Sequence, residues 1–338
     1  MPFDDDGSVQ LTARLVMMTL REIAQKAGVS TSTVSRALRN DPRLPPATCK
    51  RLQALAEKLG YRPNPLLVAL MDHRWKRSSH EAGTLAWINA FPSRDQSKLS
   101  KFHVAVLAGA TARAKALGYQ LEEFFLRDAG MTGGRLSQIL TSRGIRGVCV
   151  GPLPTGHGHV SMKWEHFACA TVGYTMVRPN LHRVTPHHMQ GVLEALRQLR
   201  RLKYRRIGVW MTVEENRKVS YNWMAGAWLF AKLNAGITCP LMTGDWNSRA
   251  FADWIEREKL DCVLGSSEVV KKWKEELKLK VPVATLSWHD GLTIPGMDQK
   301  PVEIGAAAID LIVGQLRRNE TGIPKTARVV MVEGEWRE

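Results

Sequence analysis

Residues 19–40 have the sequence TLREIAQKAGVSTSTVSRALRN, and this stretch decides the fold of the N-terminal part of the chain. Thr19 precedes Glu22 by three positions, the spacing of a capping box at a helix start. Apolar residues then recur at helical spacing on one face, at Leu20, Ile23, Ala24 and Ala27. Gly28 suits the left-handed position that ends a helix. The stretch therefore predicts a short helix followed by a tight turn.

A second helix is predicted over about residues 31–39, with Ser30 as its N-cap. Its apolar residues should face inward, which leaves outside a polar set comprising Thr31, Ser32, Thr33, Ser35 and Arg36. Arginine can bond guanine in a bidentate manner, and hydroxyls can bond bases or phosphates. Helix N-termini also favour phosphate. Two interpretations follow from spacing alone: a helix that enters the DNA major groove, or an ordinary helical hairpin with a solvated face.

The third predicted helix spans about residues 46–59, with Pro46 in its first turn and Leu52, Leu55, Ala56 and Leu59 as its apolar stripe. Positive charge is concentrated here: residues 19–77 hold 12 Lys/Arg against 4 Asp/Glu. That excess of eight charges is half of the chain's net charge of +16. A small basic three-helix unit fits phosphate contact and salt-dependent binding to nucleic acid.

Together with YRPNPLLVALM at residues 61–71, the first stretch resembles the lactose-repressor (LacI/GalR) family of bacterial transcription regulators. The resemblance implies that Thr31, Ser32 and Arg36 read bases. It also implies backbone or phosphate contacts for Thr19, Ser30, Thr33 and Ser35, and a hinge contact for Asn64. Leu70 matches the hinge leucine that enters the minor groove, where apolar wedges kink the duplex. Packing of Leu70 in a dimer core is the alternative.

Length and composition limit the remaining possibilities. A chain of 338 residues fits a small head and a larger body. No apolar run approaches the roughly 18 residues of a membrane span, and the acidic start Met1–Asp6 is unlike a secretion signal. The five cysteines are scattered without a C-x-x-C pair, so the sequence favours a reducing cytoplasm over a disulfide framework. We expect no membrane partner and no metal or other cofactor.

From about residue 84 onward, β-rich runs alternate with helical stretches, which predicts parallel sheets covered by helices. The expected strands are 84–91, 119–126, 147–153, 169–174, 206–211, 261–266 and 281–288, and the expected helices include 101–118, 134–143, 187–203 and 220–235. So many strands indicate two α/β lobes, as in the family's body, which is similar to periplasmic sugar-binding proteins. The predicted organisation is an extension at 1–17, a helix-turn-helix headpiece at 18–63, a hinge at 64–80 and an effector-binding and dimerisation body at 81–338.

The family resemblance also points to a ligand cleft between the lobes, although several of its usual anchors differ in this chain. Trp223 stands where relatives carry an arginine, a serine pair replaces Asn-Asp, and His289 replaces the first aspartate of Asp-Asp. Tryptophan faces can cover the apolar side of a sugar while polar neighbours bond its hydroxyls. Five tryptophans fall near predicted strand ends or helix starts, where α/β clefts form, with core packing as the alternative for each: Trp87, Trp210, Trp223, Trp246 and Trp288. The candidate effector-binding residues are Asn89, Phe91, Trp223, Trp246, Ser267, His289 and Asp290.

The sequence thus favours a homodimeric DNA-binding regulator, expected to be a repressor, whose affinity for double-stranded operator DNA responds to a small carbohydrate-like molecule. Two alternatives stay open. One is an α/β enzyme acting on a carbohydrate or nucleotide, with Glu268, His289 and Asp290 as conceivable acid and base groups. The other is a DNA binder that needs no ligand. The spacing of His157 and His159 lacks a complete metal-ligand set, and no Walker loop or G-x-S-x-G motif occurs.

Overall fold

The computed structural model describes residues 19–38, 44–59, 61, 83–95, 99–245, 247–266, 273, 275–277 and 280–338. The chain divides into two compact units, Met1–His80 and Glu81–Glu338. The first unit is called the headpiece and the second the body. Within the described residues, no helix is both long enough and apolar enough to cross a membrane.

The headpiece contains helices α1 (Leu20–Ala27), α2 (Thr31–Leu38) and α3 (Pro46–Lys58). The predicted capping box is present: the Thr19 backbone N–H donates to Glu22 at 2.6 Å, and Glu22 N–H donates to the Thr19 hydroxyl. The Thr19 backbone N–H and the Thr19 hydroxyl both donate to the Glu22 carboxylate, which holds the pKa of Glu22 below its usual value. Gly28 ends α1 with φ +66°. Because each helix buries only a narrow stripe, one small core centred on Ile23, Val34 and Leu52 holds all three.

The body alternates strands and helices along most of its length. In chain order its elements are β1 (Thr84–Asn89), α4 (Lys101–Ala116), β2 (Gln120–Phe125), α5 (Gly133–Ser142), β3 (Gly147–Val150), β4 (Gly158–His159), β5 (Ala168–Val172), β6 (Met176–Arg178), β7 (His182–Pro186), α6 (His188–Arg201), β8 (Ile207–Met211), α7 (Val213–Lys218), α8 (Asn222–Leu233), β9 (Leu241–Thr243), α9 (Ser248–Glu258), β10 (Cys262–Gly265), β11 (Val283–Trp288), β12 (Gly296–Asp298), α10 (Pro301–Arg318), β13 (Val329–Val332) and β14 (Glu335–Arg337).

Two six-stranded sheets define two lobes. The first has the order β13-β7-β5-β3-β1-β2 with parallel pairing throughout. The second has the order β14-β12-β11-β10-β8-β9, and β14 alone is antiparallel to its neighbour. Helix α10 packs on the first sheet, so the chain passes between the lobes three times: after β7, after β12 and after β13. The predicted two-lobed α/β fold is confirmed.

Helices α4 and α10 cross at unusually short backbone separation on the first lobe. A Cβ added at Gly109 would lie 2.0 Å from the Val302 carbonyl oxygen, and one at Gly305 would lie 2.0 Å from that of Val106. Only glycine fits at both points, because any larger residue would force the helices apart. The crossing fixes α10, and with it the chain that continues to β13 and β14.

The predicted strands and helices match observed elements, with shorter ends, but several strands escaped prediction. Strand β7 contains His182, Arg183 and Pro186, which are poor signals for a buried strand, yet all five of its residues are buried. Its polar groups are buried because they are bonded: the Arg183 guanidinium donates to the carbonyls of Gly173 and Met176, and His182 Nδ1 accepts the Arg328 backbone N–H. Strands β9, β12 and β14 have three residues each, too few to show a period.

Candidate functional site

Helix α2 presents the polar face that the sequence predicts for base recognition. Thr31, Ser32 and Arg36 are exposed, while Val34 and Ala37 are fully buried beneath them. The Ser30 hydroxyl accepts the Thr33 backbone N–H at 3.1 Å and lies 2.8 Å from the hydroxyl of Ser32. Helix α3 supports α2 through the Gln53 side chain, which donates to the Ala37 carbonyl at 2.9 Å. The core side of α2 is thus fixed, and its outer side is free to meet a partner.

The remaining predicted DNA contacts lie at the edges of this face or outside the described residues. Thr19 is exposed at the start of α1, and Thr33 and Ser35 are half-buried on α2. Asn64 and Leu70, the two predicted hinge contacts, lie outside the described residues.

The body holds a cavity of about 840 Å³ between its two lobes. It lies at the carboxyl ends of the parallel strands, where open α/β sheets bind ligands. Residues after β3, β5, β10 and β11 line it, and so do the first residues of α4, α6, α8 and α10. Because these elements come from both sheets, a molecule bound there would contact both lobes.

The structure brings together three of the predicted effector residues, Trp223, His289 and Asp290, in the lining of this cavity. Asn89 and Phe91 are not among the lining residues. The side-chain oxygen Oδ1 of Asn89 accepts the Phe91 backbone N–H at 2.9 Å, and its Nδ2 donates to the Glu123 carboxylate, so the side chain bonds within the first lobe. Phe91 packs edge-on against His103 at 4.8 Å, and His103 does line the cavity. Trp246 and Ser267 lie outside the described residues.

Two histidines that sequence reasoning did not assign to the ligand site line the cavity. His188 is buried at the start of α6, stacks edge-on against Trp223 at 5.7 Å, and has no described hydrogen-bond partner at Nδ1. Burial, with a smaller contribution from His187, lowers the pKa of His188 to about 3. His103 Nδ1 lies 2.5 Å from the Ser100 hydroxyl, and burial followed by Lys218 lowers its pKa to about 4. Both rings are therefore neutral at physiological pH.

Three charged residues of the cavity lining, Asp298, Lys300 and Arg337, form a ring of ion pairs with Glu335. Lys300 Nζ contacts Asp298 at 3.0 Å and Glu335 at 2.5 Å, and Arg337 contacts the same two carboxylates at 3.5 and 3.0 Å. The hydrogen bond from Lys300 raises its own pKa and lowers that of Glu335. The Arg337 guanidinium also lies over the Trp288 ring, 5.8 Å from its centroid. Asp298 and Lys300 lie where the chain leaves the second lobe after β12, and Glu335 and Arg337 lie where it has returned after β13. The ring therefore links two of the three passages between the lobes.

The cavity-lining residues that are absent from the candidate effector-binding residues differ in how much signal the sequence gave for them. His188 belongs to a His-His pair that follows a buried strand, and this position was the available signal. Trp288 is one of the five tryptophans weighed as ligand contacts, and it does line the cavity. Arg337 gave no signal, because it reaches the cavity through an antiparallel edge strand of three residues. Trp87 and Trp210, which share the aromatic signal, are core residues with 3% and 1% exposure.

A second cavity of about 350 Å³ lies at the ends of α6 and α8 and is lined by Arg197, Arg200 and Arg201. Its cations have local roles: Arg197 pairs with Glu194, and Arg200 bonds the Asn234 side chain. They also complement the carboxyl end of α6. Among the described residues, no group of three or more His, Cys, Asp or Glu side chains could hold a metal ion.

Comparison with known proteins gives two kinds of likeness. Residues 19–64 match the family profile described as "Bacterial regulatory proteins, lacI family". The chain is 50% identical over 58 residues to the HTH-type transcriptional regulator PtxS of Pseudomonas plecoglossicida, covering 17% of each chain. It is 32% identical over 103 residues to the HTH-type transcriptional regulator MalR of Staphylococcus xylosus, covering 30% of this chain and 28% of that one. The chain thus spans less than a third of the length of these curated relatives.

Solved structures extend the likeness to nearly the whole chain. The transcriptional regulator CelR in its cellobiose complex aligns over 95% of this chain and 98% of its own, with a TM-score of 0.56 and 16% identity. The lac repressor dimer bound to operator and the anti-inducer ONPF aligns over the same shares, with a TM-score of 0.53 and 14% identity. At these identities the alignments establish the fold, and the headpiece profile establishes the family resemblance predicted from residues 19–40.

Proposed function

We propose that this chain, whose residues 19–64 match the lacI family profile, is a transcriptional regulator that binds operator DNA under the control of a small ligand. The observation that carries the proposal is the face of α2, where exposed Thr31, Ser32 and Arg36 stand above fully buried Val34 and Ala37. Such a helix can enter the major groove, because its polar residues point away from a fixed core.

On the DNA side, Arg36 is the residue expected to discriminate bases, since a guanidinium can bond guanine O6 and N7 together. Thr31 and Ser32 assist it from the N-terminal end of the same helix. Thr19, Ser30, Thr33 and Ser35 are proposed to hold the phosphate backbone, which positions the helix without reading sequence. Asn64 and Leu70 are proposed as contacts of the hinge with the minor groove.

On the ligand side, the inter-lobe cavity offers an aromatic wall with polar groups around it. Trp223 is proposed to cover one face of the ligand, and His289 and Asp290 to bond it from the second lobe. Trp246 and Ser267 remain proposed contacts from the sequence. The solved relative in complex with cellobiose supports a carbohydrate or carbohydrate derivative as the ligand class.

Coupling between the two sites requires that the ligand prefer one arrangement of the lobes. Three passages of the chain join the two lobes. A change in the angle between the lobes would therefore move the first lobe as a unit relative to the second. Operator affinity then changes only by the ratio of ligand affinities in the two states. We propose that two copies act together, because a two-fold dimer matches a pseudo-palindromic site, and that the bound pair represses transcription.

Selection from a random double-stranded DNA library with the full chain tests the proposal. The expected outcome is enrichment of one pseudo-palindromic sequence, and that sequence should lose affinity steeply as salt rises. Analytical ultracentrifugation of the complex should give two chains per site. Recovery of no preferred sequence would refute sequence-specific regulation, and recovery of an unsymmetrical site by a single chain would refute the dimer.

A ligand screen on the same protein tests the proposed control of operator binding by a small ligand. Bound ligand raises the free energy of unfolding by mass action, about 2.7 kcal/mol at a hundredfold excess over Kd. Any compound that raises the unfolding temperature is then added to the operator titration. A shift in operator affinity of tenfold or more is expected. Operator affinity that ignores every bound ligand would favour the ligand-independent alternative.

A further inference from the structure

The lining of the inter-lobe cavity contains hydrogen-bond donors that no described group accepts. Trp288 Nε1 and Arg337 Nε are both buried and unpartnered, and neither atom can act as an acceptor. The two side chains are neighbours, since the Arg337 guanidinium lies over the Trp288 ring. Buried donors without partners are uncommon and costly, so a pair of them beside a cavity marks a place for ligand oxygen atoms.

Two further unpartnered atoms line the same cavity and can either donate or accept. They are Ser266 Oγ and His188 Nδ1, on side chains that are 5% and 8% exposed. Both residues stand at strand or helix ends, as Trp288 and Arg337 do, and all four lie on the second-lobe side of the chain passages. Hydroxyl groups suit these two positions, because a hydroxyl also donates and accepts.

Of the four carboxylates that line the cavity, Asp290 and Glu303 are exposed, whereas the less exposed pair, Glu215 and Asp298, is already occupied by partners within the protein. Glu215 accepts the backbone N–H and the hydroxyl of Thr212 in a second capping box. Asp298 accepts the Lys300 backbone N–H with one oxygen and contacts Lys300 Nζ and Arg337 with the other. The inner cavity is therefore rich in free donors and poor in free acceptors, which favours a ligand rich in acceptor atoms.

The charges around the cavity narrow the class of ligand further. The first residues of α4, α6, α8 and α10 line the cavity, and a helix N-terminus carries about half a positive charge. The charged side chains of the lining balance one another, with Lys101, Lys218, Lys300 and Arg337 against Glu215, Asp290, Asp298 and Glu303, so the excess positive charge comes from the helix N-termini. This environment suits one negative charge better than none, and better than two.

We propose that the ligand is a sugar acid: a polyhydroxyl compound with one carboxylate, which lies against Trp288 and Arg337 while its hydroxyls reach Ser266 and His188. The inference rests on the proposed function, because it names the ligand class of the proposed effector site. A carboxylate suits unpartnered N–H donors on two neighbouring side chains, since its oxygens are acceptors only. A phosphate monoester shares the acceptor chemistry but carries nearly two negative charges at neutral pH.

Titration calorimetry of the full chain with matched compounds tests the class directly. The probes are glucuronate, glucose and glucose 6-phosphate, and galacturonate, galactose and galactose 6-phosphate. We expect at least one acid to bind about tenfold more tightly than its neutral parent, as for a hydrogen bond to a charged group. The corresponding phosphate should bind more weakly than the acid.

Two variants separate the proposed roles. Trp288→Phe removes only the indole N–H and should weaken the acid about tenfold while changing the parent sugar much less. Ser266→Ala should weaken the acid and its parent by similar factors, since it removes a hydroxyl contact. Trp228→Phe, on an exposed ring of α8, is the matched control and should change neither affinity.

The inference is overturned if neutral sugars bind as tightly as the acids, if only the phosphates bind, if no compound of the panel binds, or if Trp288→Phe weakens acid and parent equally. Operator binding by the same preparation is measured separately, both without ligand and with each compound of the panel. Specific operator binding with preference for a neutral sugar would remove the inference and keep the proposed function. Absence of specific operator binding would remove the proposed function whatever the ligand.

Discussion

The headpiece and the body of this chain assemble their candidate sites in opposite ways. The headpiece places its candidate site on the outside of one eight-residue helix, within a single stretch of sequence. The body assembles its cavity from residues between Ser100 and Arg337, which meet only after two sheets and three passages between lobes have formed. A local site depends on one helix and its caps, whereas a dispersed site depends on every packing contact that fixes the lobes.

The largest expected effect comes from the crossing of α4 and α10, which only the body contains. Gly109→Ala places a Cβ 2.0 Å from a backbone oxygen, and overpacking of this kind should cost about 3 kcal/mol of the body's unfolding free energy. Denaturant unfolding followed by tryptophan fluorescence measures the loss. Gly134→Ala in α5 is the control, because its Cβ would meet only the Thr132 hydroxyl at 3.9 Å. Equal stability of the two variants would contradict the close backbone packing of α4 against α10.

The next effect concerns the headpiece alone. Arg36→Ala should weaken binding to the selected operator by about 1–3 kcal/mol, or roughly fivefold to more than a hundredfold, because it removes the proposed bidentate base contact. Binding to random DNA and the unfolding of both units should stay unchanged. A gel-shift titration checks this, with Arg257→Ala on the exposed surface of α9 as control. Retained operator affinity would remove Arg36 from the recognition face.

Lowering the pH should destabilise the body more than the headpiece. The folded-state pKa of His188 is about 3 against 6.5 for the free side chain, so the unfolded chain binds a proton first as pH falls below 6.5. The body should therefore lose about 1 kcal/mol between pH 7 and pH 5.5 through this residue. Residues 19–59 contain no histidine, and the headpiece should change little over that range.

Unfolding measured at both pH values checks this difference. His188→Gln should reduce the acid loss of the body, and His166→Gln, on an exposed ring, should preserve it. An acid loss that persists in full in His188→Gln would place its origin elsewhere.

The smallest effect compares two capping boxes of the same chemistry, one in each unit. Thr19→Ala and Thr212→Ala each remove the hydroxyl that accepts a backbone N–H in the first helical turn, at a cost of about 1 kcal/mol. That cost is a large share of the stability of a small unit and a minor share for the body. Hydrogen exchange should show faster opening of α1 for Thr19→Ala. Thr19→Ser, which keeps the hydroxyl, should behave like the parent.

How far the sequence predicted this molecule follows from the same contrast. The headpiece helices, their caps and the buried positions Ile23, Val34 and Leu52 are readable because each depends on neighbours within a few residues. The two-lobed fold is readable from the alternation of strands and helices. The strand β7 was not, because bonds to residues distant in sequence are what make burial of Arg183 and His182 possible.

The cavity was predicted only in part, for the same reason. Trp223, His289 and Asp290 were identified through the family resemblance, and each stands near the end of a predicted element. Arg337 and His103 owe their position to sheet order and to the packing of one lobe beside the other, which a single sequence does not display. Asn89 shows the converse: it ends a predicted strand, but its side chain bonds within its own lobe.

The final two strands of the body give each lobe an edge from one short piece of chain. Strand β13 completes the first sheet and β14 completes the second, only a few residues later. During synthesis on the ribosome, neither sheet can therefore have all its strands until residues 329–337 have emerged. The headpiece can fold while the rest is still being made, so a nascent chain would hold a finished headpiece well before it holds a finished ligand cavity.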